Sequence, residues 1–242
     1  MRVTLVVVFL VGSLLEFGTS RALDLPPTPP FRALYLVDVK DNPKGVMEIT
    51  VNFDATARTY AIELAFGSDK RSVQGMISGS KTRILARLVE GKLQLVDARA
   101  TQDVSRHHYE LIEVLDWQKG VATVTMNGKT SQKPFRGEHS AGFRQELVSA
   151  FYAATVWVPG DYELAELSSS VRRTEGEDAD IHTAMGEYRA RRLDLEQPSG
   201  DRATFWIAPD LNGLPIKVEF PDGRRSVAFV LAELHEGVEL SP

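Results

Sequence analysis

Five histidines, at positions 107, 108, 139, 182 and 235, are the first residues to test for chemistry. His107 and His108 stand together beside Arg106, which invites a metal site. Neighbouring side chains on a strand point to opposite faces, so one ion cannot readily use both, and the pair reads as an exposed strand end. His182 follows Glu175, Glu177, Asp178 and Asp180. Those acids lack the alternate spacing and closing Glu of a calcium loop, so the stretch from Arg172 to Asp180 reads as a charged, solvated loop. Asp161 and Glu163 would share one face of a strand, as an acid–base pair requires. Nothing beside them supplies the apolar pocket that would drive their proton affinities apart. Ser168, Ser169 and Ser170 offer hydroxyls with no neighbouring base. The GxSxG, Walker, GxGxxG and HExxH patterns are absent. The sequence therefore predicts no catalytic residues, no metal site and no cofactor.

Binding is the favoured chemistry, with an envelope enzyme acting on polymers or small metabolites as the remaining alternative. Arg189 and Arg191 alternate, with Arg192 beside them, and two such guanidinium groups suit an anionic headgroup or a partner's carboxylate. Phe143, Phe151, Trp157 and Trp206 belong to an aromatic set spread through the predicted strands and one helix. An ordinary core accounts for most of that set. A curved sheet around a helix also leaves a concave apolar face, which is how small barrels hold a hydrophobic ligand. These six residues are the predicted ligand contacts. The expected partner is a lipid or lipidated molecule, or else another envelope protein.

Composition narrows the field. The chain has 242 residues, of which 43% are hydrophobic and 25% charged, a globular balance. With 28 basic and 33 acidic side chains it lacks the basic surplus that a nucleic-acid backbone demands. With no cysteine there is no disulfide, no thiolate nucleophile, no zinc finger and no acylated lipoprotein N-terminus. Met1-Arg2, the apolar run Val3 to Leu15, and Ser20-Arg21-Ala22 with small residues at −3 and −1 form the pattern of a cleavable secretory signal over 1–22. That run is shorter than the roughly twenty residues a bilayer needs, and no later stretch reaches that length. Cleavage would remove two arginines and one glutamate, taking the net charge from −5 to −6. In a Gram-negative bacterium the destination is the periplasm, with no membrane span in the mature chain.

The elements that must position these residues are mostly strands. A Pro-rich arm over 23–30 (Pro26, Pro27, Pro29, Pro30) cannot pair in a sheet. Strands are predicted at 31–40, 47–53, 60–66, 93–96, 109–116, 121–126 and 188–195, from period-two alternation bounded by turn residues. Asn127-Gly128 is a strong hairpin signal, because both positions tolerate the positive φ of a type I′ turn. Asn212-Gly213 and Pro221-Asp222-Gly223 divide residues 203–234 into a three-strand meander. Between them Phe143, Leu147, Val148, Phe151 and Ala154 recur at helical spacing after Ser140, which predicts one amphipathic helix over 141–155. The expected fold class is mainly β: a single antiparallel curved sheet, barrel or half-barrel, with that helix packed on it. The domain would span 31–236, with a tail at 237–242.

The segment Phe205-Trp206-Ile207-Ala208-Pro209-Asp210-Leu211-Asn212-Gly213-Leu214-Pro215 resembles the W-x-A-P-D…L-P motif of the domain-of-unknown-function 3108 family of exported bacterial proteins. Val158-Pro159-Gly160-Asp161-Tyr162, after the predicted helix, is similar to a second segment of that family. The helix entrance, Gly142 to Glu146, departs from the family's Asp-x-x-Ser element. The resemblance implies an open β-barrel like that of periplasmic lipoprotein carriers, and brings no established activity with it. Within the motif Trp206, Pro209, Asp210, Asn212, Gly213 and Pro215 read as structural: a strand, a Pro-Asp bend in which Asp210 bonds its own turn amides, a hairpin turn, and a new strand.

Overall fold

The structure, a computed structural model, describes residues 29–38, 45–67, 80–104, 107–135, 151, 153–158, 162–164, 172–196, 202–222 and 225–237. Its strands are β1 (Phe31–Asp38), β2 (Val46–Asp54), β3 (Thr59–Gly67), β4 (Ser80–Val89), β5 (Lys92–Val104), β6 (His107–Asp116), β7 (Val121–Met126) and β8 (Lys129–Pro134). They continue with β9 (Glu163–Leu164), β10 (Arg172–Glu175), β11 (Ala179–Thr183), β12 (Gly186–Glu196), β13 (Arg202–Ala208), β14 (Leu214–Asp222) and β15 (Arg225–Glu236). One sheet runs in the order β10-β12-β13-β14-β15-β1-β2-β3-β4-β5-β6-β7-β8. Along that path the pairing is antiparallel throughout. Among the described residues β8 and β10 do not pair with each other, so the sheet does not close.

Two meanders meet at β1. Its alternation puts Phe31, Ala33 and Tyr35 on the face that carries Met47, Ile49 and Val51 of β2, and all six are buried. The same face continues through Tyr60, Ile62, Leu64, Ile84 and Ala86, and returns through Phe205, Val218 and Leu231. Leu34 is also buried, on the opposite face, with Val46 and Ala65. The connection from β8 to β10 adds to the main core: Phe151, Ala154, Val156, Trp157 and Val158 are buried in it. Of the helix expected over 141–155, residues 141–150 and 152 lie outside the described residues. Phe151, Ala153 and Ala154 have helical backbone leading into a 3-10 turn over Thr155–Trp157. Among the described residues no longer helix occurs, so a packed helix over 141–155 is not supported.

The structure corrects one expectation outright. Residues 172–180 are not a solvated loop. Arg172–Glu175 pairs with Leu193–Glu196, and Ala179–Thr183 pairs with Gly186–Ala190, making one long hairpin with β12. Between the two stretches, residues 176–178 oppose only Arg191 and Arg192, which is a β-bulge. The Gly176 amide donates to the Arg192 carbonyl at 3.0 Å, and a Cβ on Gly176 would lie 2.7 Å from Arg192 Cδ. The acids hid the strand because charge along an exposed edge looks like a loop in sequence, while pairing needs only backbone groups.

Candidate functional site

The interior is held by an aromatic knot. Trp157 Nε1 donates to Tyr35 Oη at 2.9 Å, and Tyr35 Oη donates to the Pro215 carbonyl at 2.6 Å. The Trp157 ring meets Tyr35 and Phe205 edge-on, at centroid separations of 6.3 and 5.4 Å. All three side chains are fully buried. Burial pushes the Tyr35 phenol well above its usual value, against the lowering effect of the Trp157 bond. Tyr60 is also raised, by burial first and then by its 3.2 Å contact with the Tyr162 hydroxyl. The other shifted groups are half-buried acids and their partners. A bond from Lys119 lowers Asp116, and a bond from Arg202 lowers Glu196. Each of these shifts carries the group further from pH 7, so none readies a side chain for proton transfer there.

The predicted contacts fall in three places. Phe151 and Trp157 lie inside the core, and Phe143 lies outside the described residues. Arg189 and Arg191 are exposed on β12, and Arg189 is engaged by Asp180 at 3.3 Å and Asp178 at 4.0 Å. Trp206 sits half-buried on the face opposite Phe205, with the Arg192 guanidinium 5.9 Å from its ring centre. His108 is exposed and bonded to Asp103, and no cluster of metal-ligating side chains occurs among the described residues.

The Trp206–Pro215 motif helps to build a surface cleft. Pro209–Leu211 form a 3-10 turn, Asn212 and Gly213 take φ of 53° and 78°, and the Gly213 amide donates to the Ala208 carbonyl at 3.1 Å. Backbone closes this turn, and Asp210 is exposed on it. The turn carries Leu211, Asn212 and Leu214 to the ends of β1 and β15. There they line a shallow, half-open cleft with Pro29, Phe31, Leu234 and Glu236. β1 and β15 converge by direct pairing, Phe31 with Glu236 and Ala33 with Leu234. Sequence reasoning missed Phe31, Leu234 and Glu236, because only the pairing of the first and last strands brings them to the motif. The cleft admits the tip of an apolar group; a whole acyl chain needs a cavity of several hundred Å³.

Fold and cleft together define an open antiparallel β-sheet protein with a small apolar notch at its rim. No family model matches the chain, and no curated protein matches it, so the resemblance over Phe205–Pro215 stands on those residues alone. Solved structures give distant likenesses. A β-barrel-like protein of domain of unknown function 1849 from Brucella abortus is 14% identical, over 87% of this chain and 98% of that one, with a TM-score of 0.43. A hypothetical protein from Chlamydia trachomatis is 7% identical, over 88% and 90%, with a TM-score of 0.40. A candidate lipoprotein from Parabacteroides distasonis is 10% identical, over 87% and 97%, with a TM-score of 0.32.

Proposed function

We propose that this chain is a periplasmic binding protein without catalytic activity, which meets a hydrophobic or amphipathic molecule and serves in envelope maintenance. The molecule is a lipid or acyl chain, or the acyl end of a lipidated partner. In this reading residues 1–22 are a cleaved leader, 23–30 an extended arm, 31–236 one half-barrel domain and 237–242 a tail. One observation carries the reading: half-buried Leu211 and Leu234, with the rims of the buried Phe31 and Leu214, line a surface cleft at the edge of the core. With Tyr35, Trp157 and Phe205 filling the interior, the ligand enters by its tip at the rim. Of the predicted contacts, Trp206 acts here through the strand that leads into the cleft, and Arg191 is left for a headgroup or a partner's carboxylate.

Native mass spectrometry of the protein purified gently from its own envelope, followed by organic extraction, tests this. A reproducible adduct that extracts as lipid is the expected result. A bare mass, with no lipid above a control protein, would sink it.

A second reading, docking of another envelope protein, draws on Tyr109 and Met126. They lie on one face of β6 and β7 and are 51% and 41% exposed, large for apolar side chains. Cross-linking in the intact envelope from position 109 would then capture a defined protein partner, and its absence would remove this reading.

A further inference from the structure

The rim cleft has a sign. Among the described residues its lining is apolar except for Asn212 and Glu236, and Glu236 is the ionisable one. Register places Glu236 directly across from Phe31, so the carboxylate stands beside the aromatic wall. The nearby acids are used: Glu233 lies 3.5 Å from His235, and Glu48 is joined to Arg32. Neither cation reaches Glu236 among the described ion pairs, and the residue is exposed at the strand end. Asn212 adds a neutral amide, able both to donate and to accept, held in place by its left-handed turn. An anionic headgroup drawn toward this notch would meet like charge, while an ammonium would meet opposite charge and an amide oxygen.

We infer that the cleft selects amphiphiles with an amine head, an alkyl ammonium group next to an apolar tail, over fatty acids of the same length. This rests on the proposed binding role and names the chemical class of its ligand. Recognition has two parts: Phe31, Leu211, Leu214 and Leu234 take the first carbons of the tail, and the Glu236 carboxylate with the Asn212 amide oxygen takes the N–H donors.

The test is titration calorimetry of the full, folded protein with dodecylamine, dodecanol and dodecanoate below their micelle concentrations. Dodecylamine is expected to bind about threefold more tightly than dodecanoate, with dodecanol between them, an effect of the size that exposed charge pairs produce. Glu236→Gln should erase the difference between amine and acid, and an unchanged urea-unfolding midpoint reports that the variant is folded. Raising the salt concentration should shrink the same difference. Equal binding of all three to the wild-type protein would overturn the amine preference and leave the cleft reading standing. Binding of none would overturn both. A preference that survives Glu236→Gln would take this site away from Glu236 and overturn the inference.

Discussion

Trp157 Nε1 bonds to the Tyr35 hydroxyl at 2.9 Å, joining residues 122 apart in sequence across the inside of the sheet. That hydroxyl also donates to the Pro215 carbonyl, so one phenol serves the crossover segment, the first strand and the start of β14. Tyr35→Phe removes both bonds, leaving the buried Trp157 N–H without its partner and the buried Pro215 carbonyl one bond short. The expected cost is about 1–3 kcal/mol in urea unfolding. In a Trp157→Phe background the same change should cost less, because one orphaned group is already gone, and a double-mutant cycle reads that coupling.

Burial raises both Tyr35 and Tyr60, which fixes the sign of the alkaline limb. A phenol whose folded value exceeds its unfolded value near 10 contributes stability that is complete below that value and is lost as pH rises through it. Stability should therefore hold flat to about pH 9.5 and fall above about pH 10. In a phenolate absorbance titration, two tyrosines should ionise only together with unfolding. Ionisation of all six tyrosines before unfolding would contradict this burial. Glu196, lowered by Arg202, gives the opposite limb, a small contribution lost as pH drops through the carboxylate range.

The Asn127-Gly128 turn does two jobs. Both residues have positive φ, 48° and 78°, and the Asn127 side-chain oxygen accepts from the Glu110 amide at 2.9 Å. Asn127→Gly keeps the backbone and loses the bond, whereas Asn127→Ala loses both. The alanine variant should unfold about 1 kcal/mol earlier than the glycine variant in chemical denaturation.

Among the described residues strand β8 pairs on one side only, and its other side resists pairing. Five of its six residues are exposed, Lys129 and Lys133 are charged, and Pro134 has no N–H to offer. Replacing Lys129 and Pro134 by Thr should make a clean edge. Sedimentation velocity should then show concentration-dependent self-association that the parent lacks.

Much of the fold was legible because it is local. The alternation of Phe31, Ala33 and Tyr35 and the Asn127-Gly128 turn each specify themselves within a few residues. The three-strand meander over 203–234 is β13, β14 and β15 in order. Ser80–Val89 passed unread although Thr82, Ile84, Ala86 and Leu88 alternate, because Lys81, Arg83 and Arg87 on the other face mask the apolar period. Strand β5 runs to Val104, well beyond the predicted Val96, since its far half pairs with β6 through polar residues such as Gln102 and Asp103. The candidate site was illegible for a different reason. Its walls come from both ends of the chain, and no local pattern says that Phe31 will stand beside Leu211 and Glu236.

The central claim is that ligand meets this protein at the rim cleft. A photoreactive benzophenone side chain at Leu211, activated in the living envelope, tests that most directly, with Leu36, an exposed apolar residue, as the control position. Light-dependent attachment of an extractable lipid at 211 and not at 36 is the predicted result. No lipid at 211, or equal labelling at both positions, would contradict it.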